Sequence, residues 1–192
     1  MFSIKEKVIK ETIIKNSRFI VVLIPLKNNN IMQLRDELKE IYPKATHYCY
    51  AYIYGNEKAS SDDGEPSRTA GSPMLNVLEK ENLNNILAVT IRYFGGIKLG
   101  AGGLVRAYTK SLTEALKEAT YQELIEAYKV KITFDYKEEK QIHYLLGDSP
   151  ILEKNYSDKP YYIVQINKKE MEKFYSYSYE ILEECYIKKD SI

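Results

Sequence analysis

Glycine is concentrated in one stretch of this 192-residue chain, and that concentration constrains the fold more than any other feature. Seven of the nine glycines lie between Gly64 and Gly103, in two polar segments at residues 60–73 and 92–106. Because glycine costs backbone entropy and offers no side chain to a core, glycines clustered beside charged residues indicate sharp turns or close approach to a ligand. We therefore expect the function of the chain to reside in these two segments.

The composition is typical of a soluble globular protein with one large domain or two small ones. Hydrophobic residues make up 44% of the chain and charged residues 29%, which is enough for a proper core. The two cysteines, Cys49 and Cys185, are too few for a disulfide framework. The sequence shows no signal peptide and no apolar run long enough to cross a membrane. These features predict a cytoplasmic protein without a membrane partner.

Charge is distributed unevenly along the chain, although the formal net charge is only +1. Residues 1–120 carry 17 Lys and Arg against 13 Asp and Glu, whereas residues 121–192 carry 11 against 14. All five arginines lie in the first part, and the planar guanidinium of arginine suits phosphate or carboxylate recognition. The bias is modest, so any nucleic-acid site would be a local patch rather than a whole basic face.

Hydrophobic periodicity predicts the element order ββαβαβα for the first part of the chain. Residues 55–72 show no apolar period, so we expect an irregular loop there, and loops of that length in a compact domain are usually functional. The predicted strands cover residues 7–14, 18–26, 46–54 and 86–94, and the predicted helices cover residues 31–41, 72–82 and 102–119.

The composition changes near Thr120, because eleven of the eighteen tyrosines follow it and arginine disappears. We therefore predict a first domain of residues 1–120 and a second domain of residues 121–192. The second domain is predicted as βαββαβ, the order of a ferredoxin-like unit, so the chain belongs to the α+β class. Its predicted strands cover residues 129–136, 152–156 and 161–167 and begin again at 185, and its predicted helices cover residues 138–146 and 169–183.

The second glycine-rich segment, residues 92–106, is predicted to run from a buried strand through a tight turn into a helix. Free backbone N–H groups and the positive end of the helix would then face one small volume, which is an anion cradle. The glycine spacing fits neither a Walker A loop nor a dinucleotide-binding fingerprint. The alternative is that the glycines only permit close packing of the strand against the helix. The residues predicted to bind an anion or nucleic acid are Arg68, Arg92, Gly95, Gly96, Lys98, Gly102, Gly103, Arg106 and Lys110.

The first polar segment places three carboxylates within four positions, at Asp62, Asp63 and Glu65. We expect them to order the loop through interactions with Arg68 or Arg92. A divalent cation and a solvated turn stay open as alternatives, although the ligands of a calcium-binding EF-hand loop are absent. The sequence predicts no metal and no cofactor.

Nucleophilic catalysis has little support, because the chain has only two histidines, His47 and His143, and no spacing requires a triad. No catalytic residue is assigned. Tyrosine also occurs at every second position from 48 to 54, which places four rings on one face of the predicted strand. An exposed row of this kind would stack the bases of single-stranded nucleic acid, but we favour packing beneath a helix.

Three motifs resemble those of the IMPACT/YigZ family: HYCYAY at residues 47–52, SDDGEPSRTAGSPML at 61–75 and IRYFGGIKLGAGGLVRAY at 91–108. The resemblance spans roughly residues 15–118, and the remainder resembles, more weakly, the small C-terminal domain of the bacterial members. It implies a ribosomal-protein-like fold for the first domain, similar to domain IV of elongation factor G. The two domains together would look like the last two domains of that factor.

The resemblance also implies a role in translation. The eukaryotic relatives regulate translation under amino-acid starvation by competing for the activator of an initiation-factor kinase, but they carry a different second domain. We therefore predict a translation-linked regulator that binds RNA or the ribosome through the glycine-rich basic loops. Two alternatives are a metal- or phosphate-dependent hydrolase that uses Asp62, Asp63 and Glu65, and a protein-interaction module that acts on a translation factor. Of these, an enzyme is the less favoured.

Overall fold

The computed structural model describes residues 1–189 and divides into two compact units, the first of residues 1–122 and the second beginning at Glu123. Each unit contains both a sheet and at least one helix, so the predicted two-domain α+β architecture is confirmed. Within residues 1–189 no helix is both long enough and apolar enough to cross a membrane.

The first unit is organised around a five-stranded antiparallel sheet in the order β2-β3-β6-β4-β5. The central strand β6 is buried along nearly its whole length because helices cover both faces of the sheet. The strands are β1 (Phe2–Ile4), β2 (Val8–Ile14), β3 (Ser17–Pro25), β4 (His47–Tyr54), β5 (Glu57–Ser61) and β6 (Ile86–Tyr93). The helices are α1 (Ile31–Ile41), α2 (Gly71–Lys80) and α3 (Ala101–Lys117).

The hairpin between β2 and β3 turns through only two residues, Lys15 and Asn16, whose φ angles are 44° and 63°. Positive φ at both central positions is the signature of the turn whose twist matches that of the flanking strands. The turn fixes the register of the hairpin, and it brings Ser17, the first residue of β3, to the end of the sheet where β6 terminates.

The two faces of this sheet have separate cores. Helices α2 and α3 cover one face, where Met74, Leu78 and Leu112 pack against alternate residues of the strands. Helix α1 covers part of the other face, where Ile31 and Leu38 meet the second set of strand residues. Side chains alternate across a strand, so Arg92, two residues after Thr90 on β6, lies on the α2/α3 side.

The prediction of an irregular loop over residues 55–72 was wrong for its first part, because β5 forms there and pairs with β4 from Tyr50↔Ser61 to Tyr54↔Glu57. This strand lies at the edge of the sheet and is only partly buried. Backbone hydrogen bonds to β4 stabilise it without an apolar run, and therefore its sequence carries no hydrophobic period. The irregular segment is confined to residues 62–70.

The second unit has four antiparallel strands in the order β10-β7-β9-β8 and one α-helix against one face. Its core joins Val130 and Val164 of the sheet to Ile142 of the helix and to Phe174. The elements are β7 (Tyr121–Thr133), a 3₁₀ turn (Tyr136–Glu138), α4 (Glu139–Leu146), β8 (Ile151–Asn155), β9 (Tyr161–Asn167), a 3₁₀ helix (Lys168–Phe174) and β10 (Ser178–Lys188).

The predicted second helix of this unit, over residues 169–183, is wrong. The chain instead forms the 3₁₀ helix at Lys168–Phe174 and then enters β10 at Ser178, before the predicted start of the last strand at 185. Glutamates at irregular intervals gave this stretch the polarity of a helix surface. Its tyrosine and isoleucine residues, however, favour a strand, and pairing with residues 124–133 of β7 supplies the backbone hydrogen bonds.

Candidate functional site

The two polar segments of the sequence meet at the end of β6. We call residues 62–70 the acidic loop and residues 94–100 the glycine loop. Glu65 of the acidic loop contacts Arg92, the last residue but one of β6, and also Tyr108 on α3. One buried carboxylate thus ties the acidic loop to the strand and the helix that flank the glycine loop.

Arg92 is inside the protein. Its Nη1 donates to Glu65 Oε1 at 2.5 Å, and the two side chains are only 6% and 3% exposed. Its Nη2 lies 3.4 Å from Ser17 Oγ, and its guanidinium carbon lies 5.4 Å from the centre of the Phe19 ring. A buried arginine that already has a carboxylate partner is not available to phosphate. The prediction that Arg92 contacts RNA directly is therefore corrected, because its guanidinium is buried against Glu65.

Glu65 accepts further contacts from residues of the same core. The hydroxyl of Tyr108 donates to Oε1 at 2.8 Å, and His47 Nε2 lies 3.7 Å from Oε2. Burial raises the pKa of Tyr108, and it raises the pKa of the neighbouring Cys49 thiol to about 12. Both groups therefore stay protonated at neutral pH, and Cys49 is not an activated nucleophile.

His47 also helps to order the acidic loop. Its Nδ1 lies 2.8 Å from the carbonyl oxygen of Asp63, which can only accept, so Nδ1 carries a proton and donates. With Nε2 directed toward Glu65, both ring nitrogens serve the acidic loop. The geometry does not assemble His47 into a serine triad.

Asp62 organises the start of α2. Its Oδ2 accepts from the N–H of Arg68 at 2.7 Å, and its Oδ1 accepts from those of Ala70 and Gly71 at 2.9 and 2.8 Å. Burial raises the pKa of Asp62, but these backbone hydrogen bonds outweigh burial, and the pKa is lowered overall. A Cβ at Gly71 would lie 2.7 Å from backbone atoms of Ser61, so only glycine permits this close approach.

Asp63 acts on a different part of the fold, because its Oδ2 accepts from the backbone N–H of Tyr48 at 2.7 Å. The three predicted carboxylates therefore point to three different partners: backbone at the start of α2, backbone of β4 and the guanidinium of Arg92. Across residues 1–189 no three His, Cys, Asp or Glu side chains are grouped closely enough to hold a metal ion. This geometry does not support the metal-dependent hydrolase that uses Asp62, Asp63 and Glu65.

The glycine loop needs glycine for two different reasons. A Cβ at Gly95 would overlap backbone atoms of Asn16, and the Gly95 N–H donates to Ser17 Oγ at 3.2 Å. Gly96 and Gly100 instead have φ angles of 84° and 68°, which side-chain-bearing residues rarely adopt, and open space surrounds both. Gly95 thus holds the loop against the β2–β3 turn, whereas Gly96 and Gly100 give the rest of the loop its path.

Helix α3 begins directly after this loop. Gly100 provides no side-chain cap, and the first turn carries no acidic residue, so the positive end of the helix is not neutralised locally. A Cβ at Gly102 would have Arg106 Nη1 as its nearest neighbour at 3.6 Å, whereas at Gly103 it would lie 3.2 Å from Leu99 Cβ. The guanidinium of Arg106 therefore lies beside the first turn.

The remaining predicted cations are exposed. Lys98 lies on the glycine loop, and Arg106 and Lys110 lie one turn apart on α3, so they share a face of the helix. Arg68 is also exposed but belongs to the acidic loop. None of these four side chains forms an ion pair with any of residues 1–189. Lys98 and Arg106 thus flank the start of α3, and Lys110 lies one turn beyond Arg106 on the same face of the helix.

The tyrosine row of β4 is half-buried against the core under α1. Tyr48 donates to the carbonyl of Tyr42 at 2.6 Å, and the Arg35 guanidinium of α1 lies 5.8 Å from the centre of the Tyr50 ring. The row is therefore part of the fold, as favoured from the sequence. Sequence analysis missed three residues of the site: Ser17, Tyr108 and the 47%-exposed Phe94.

The fold and the site together define a class: a two-domain α+β protein with a self-contained acidic loop beside an exposed, basic glycine loop. The family model described as the Impact N-terminal domain matches residues 15–116. The chain therefore belongs to the IMPACT family.

Three relatives illustrate the extent of the similarity. The chain is 36% identical over 180 residues to an IMPACT family member of Haemophilus influenzae, covering 90% of this chain and 87% of that one. It is 48% identical over 119 residues to IMPACT family member YvyE of Bacillus subtilis, but this match covers 60% of the chain and only 55% of YvyE. A crystal structure of a protein described as hypothetical has a TM-score of 0.74 at 29% identity, covering 95% of this chain and 97% of that chain.

Proposed function

We propose that this protein acts in translation by binding RNA at the N-terminal end of α3, with phosphate groups held by the cations around it. Membership of the IMPACT family supports the role in translation. The family resemblance implies such a role, because the eukaryotic relatives regulate translation. The proposal includes RNA or the ribosome as the partner and the cytoplasm as the location.

The observation that carries the proposal is the uncapped start of α3 among unpaired cations. The first N–H groups of a helix have no acceptor within the helix, and Gly100 supplies none from a side chain. Within residues 1–189 the exposed Lys98, which precedes α3 by three residues, and the exposed Arg106, whose guanidinium lies beside the first turn, form no ion pair. Backbone N–H groups, a helix dipole and neighbouring cations form the usual set of contacts to a nucleic-acid phosphate.

A buried network of Glu65, Arg92 and Ser17 contacts the glycine loop from inside the protein. Ser17 Oγ contacts both Arg92 and the Gly95 N–H, so the ion pair with Glu65 is connected to the glycine loop through one hydroxyl. We infer that the acidic loop and Arg92 keep the glycine loop in position and do not themselves touch RNA.

Binding is tested with a fluorescent 12-nucleotide single-stranded RNA, by anisotropy at several salt concentrations. Lys98→Ala and Arg106→Ala should each weaken binding several-fold and should make the dependence on salt less steep by about one phosphate contact. The matched control is Lys80→Ala, an exposed lysine on α2 in the same unit, which should leave binding unchanged.

Two results would count against the proposal. If Lys98→Ala and Arg106→Ala bind RNA as the native protein does, α3 is not the site. If the protein cosediments with ribosomes and still binds a ribosomal protein after nuclease treatment, the protein-interaction alternative replaces RNA binding.

A further inference from the structure

We propose that the RNA bound at this site is single-stranded and that one of its bases stacks on the ring of Phe94. This inference rests on the proposed function, because it names the form of RNA that the same site accepts. Three features of the structure carry it: the exposure of the ring, the rigidity of its support and the open space at Gly96.

Phe94 lies at the junction of β6 and the glycine loop and is 47% exposed. Its backbone is fixed, because its N–H donates to Thr46 Oγ1 at 3.0 Å. A large aromatic surface left in water on a fixed backbone costs free energy unless a ligand covers it. The ring is thus an accessible surface four residues before Lys98 and seven before the first residue of α3.

The buried Arg92 supports the ring from within. Its guanidinium carbon lies 5.6 Å from the centre of the Phe94 ring, and Glu65 holds that guanidinium in place. A cation at this distance from a ring attracts it electrostatically. Phe94 is therefore held by a group that cannot itself reach solvent, which gives the buried ion pair a direct connection to the surface.

The residues that follow Phe94 leave space for a base. The β2–β3 turn fills the position that a Cβ would take at Gly95, but nothing lies within 4 Å of the position a Cβ would take at Gly96. Ile97, three residues after Phe94, is 45% exposed and Lys98 follows it. Along the chain, the aromatic ring is thus followed by two residues without side chains, then by an aliphatic side chain and a cation.

The combination favours a single strand over a duplex. In a duplex the faces of the bases are stacked on each other, so an aromatic side chain has no free base to meet, whereas a single strand offers every base face. The phosphates would be neutralised by Lys98 and Arg106, which form no ion pair within residues 1–189, and by Lys110, which also interacts electrostatically with Glu114 one turn further along α3. The positive charge of this surface is therefore complementary to RNA, and the Phe94 ring selects single-stranded RNA over a duplex.

The chain contains no tryptophan, so Phe94→Trp creates a single fluorescent reporter at the proposed contact. A 12-nucleotide oligouridine should quench the tryptophan emission as it binds, because stacked bases quench indole. A blunt-ended RNA duplex of the same length should leave the emission nearly unchanged. Tyr144→Trp, at an 81%-exposed position on α4, is the matched reporter and should not respond to either RNA.

Affinity gives the second measurement. Phe94→Ala should weaken binding of the oligouridine about tenfold, the loss expected for one base–aromatic stack, and should not change binding of the duplex. Phe94→Tyr keeps the ring and should bind as the native protein does. Thermal unfolding of each variant checks that the exposed substitution leaves the fold intact.

The outcomes separate this inference from the proposed function. If Lys98→Ala weakens binding of both RNAs but Phe94→Ala changes neither, the site binds phosphate and stacking on Phe94 is wrong. If neither RNA binds the native protein at low salt, the proposed function fails and this inference fails with it. Tight binding of the oligouridine to Phe94→Trp without quenching would also overturn the stack.

Discussion

The acidic loop and the glycine loop both combine glycine with charged residues and lie at the same end of one sheet, but their charged groups have different partners. In the acidic loop each carboxylate is satisfied by the protein itself: Asp62 by backbone of the loop and α2, Asp63 by backbone of β4, Glu65 by Arg92. In the glycine loop and the first turns of α3 the cations are exposed and unpaired within residues 1–189. Similar composition therefore serves internal order in one loop and a free surface in the other.

The difference shows how to distinguish a structural polar group from a binding one. A buried charge has lost its hydration, and an ion-pair partner compensates part of that free-energy cost. The folded protein therefore tolerates the buried charge only together with the partner. An exposed cation has no such requirement and stays available to a ligand. Arg92 and Arg106 have the same side chain, but only Arg106 meets the condition for binding, because Glu65 already occupies Arg92.

The largest effect on stability is expected at the buried ion pair of Glu65 and Arg92. Glu65→Ala leaves the Arg92 guanidinium buried without a partner and should lower the free energy of unfolding by about 3–5 kcal/mol. Urea denaturation measures this change. The control is Glu79→Ala, which removes the carboxylate from the exposed pair with Lys58 and should cost less than about 1 kcal/mol.

A double variant tests the same buried ion pair. Replacing Glu65 and Arg92 together by leucine removes both charges, so its cost should be smaller than the sum of the two single replacements. If Glu65→Ala is no more harmful than Glu79→Ala, the acidic loop is not held by a buried ion pair and the contrast between the loops fails.

A second, intermediate effect is expected within the glycine loop. Gly95→Ala forces a methyl group into the backbone of Asn16 and should destabilise the protein by about 1–3 kcal/mol, as overpacking does. Gly102→Ala is the matched change: its methyl group would meet only Arg106 Nη1 at 3.6 Å, and alanine favours the helix by up to about 1 kcal/mol. Thermal and urea unfolding of the two variants should therefore differ in sign. Equal destabilisation by both would contradict the separate roles of these glycines.

The smallest effect concerns the pH dependence that Asp62 provides. Its pKa is lowered in the folded protein, so the stability it contributes is present above the ordinary aspartate pKa and is lost as pH falls through the folded pKa. Asp62→Asn should cost about 1–2 kcal/mol at pH 7, and this difference should shrink below about pH 4. Urea unfolding of both proteins between pH 7 and pH 3 measures it. A difference that grows as pH falls would have the wrong sign for this mechanism.

Long and strongly periodic elements could be predicted from the sequence. The β2–β3 hairpin, the buried strand β6 and the helix α3 have apolar residues at the spacing that their burial requires, and the structure contains all three. The strand β5 could not be predicted, because an edge strand stabilised by backbone hydrogen bonds needs no apolar pattern. The segment 169–183 was misassigned, because its strand forms only by pairing with β7, which is distant in sequence.

The sequence also indicated which segments form the candidate site, because glycines and charges are localised where the backbone turns and where α3 starts. It could not decide which charges face inward. Arg92, Arg106 and Lys98 look alike in the sequence, and only the tertiary structure sets Glu65 against Arg92 while leaving the other two exposed. It likewise places the tyrosines of β4 under α1 and leaves Phe94 in solvent. The physical reason is that burial depends on which elements pack against a residue, and packing partners come from distant parts of the chain.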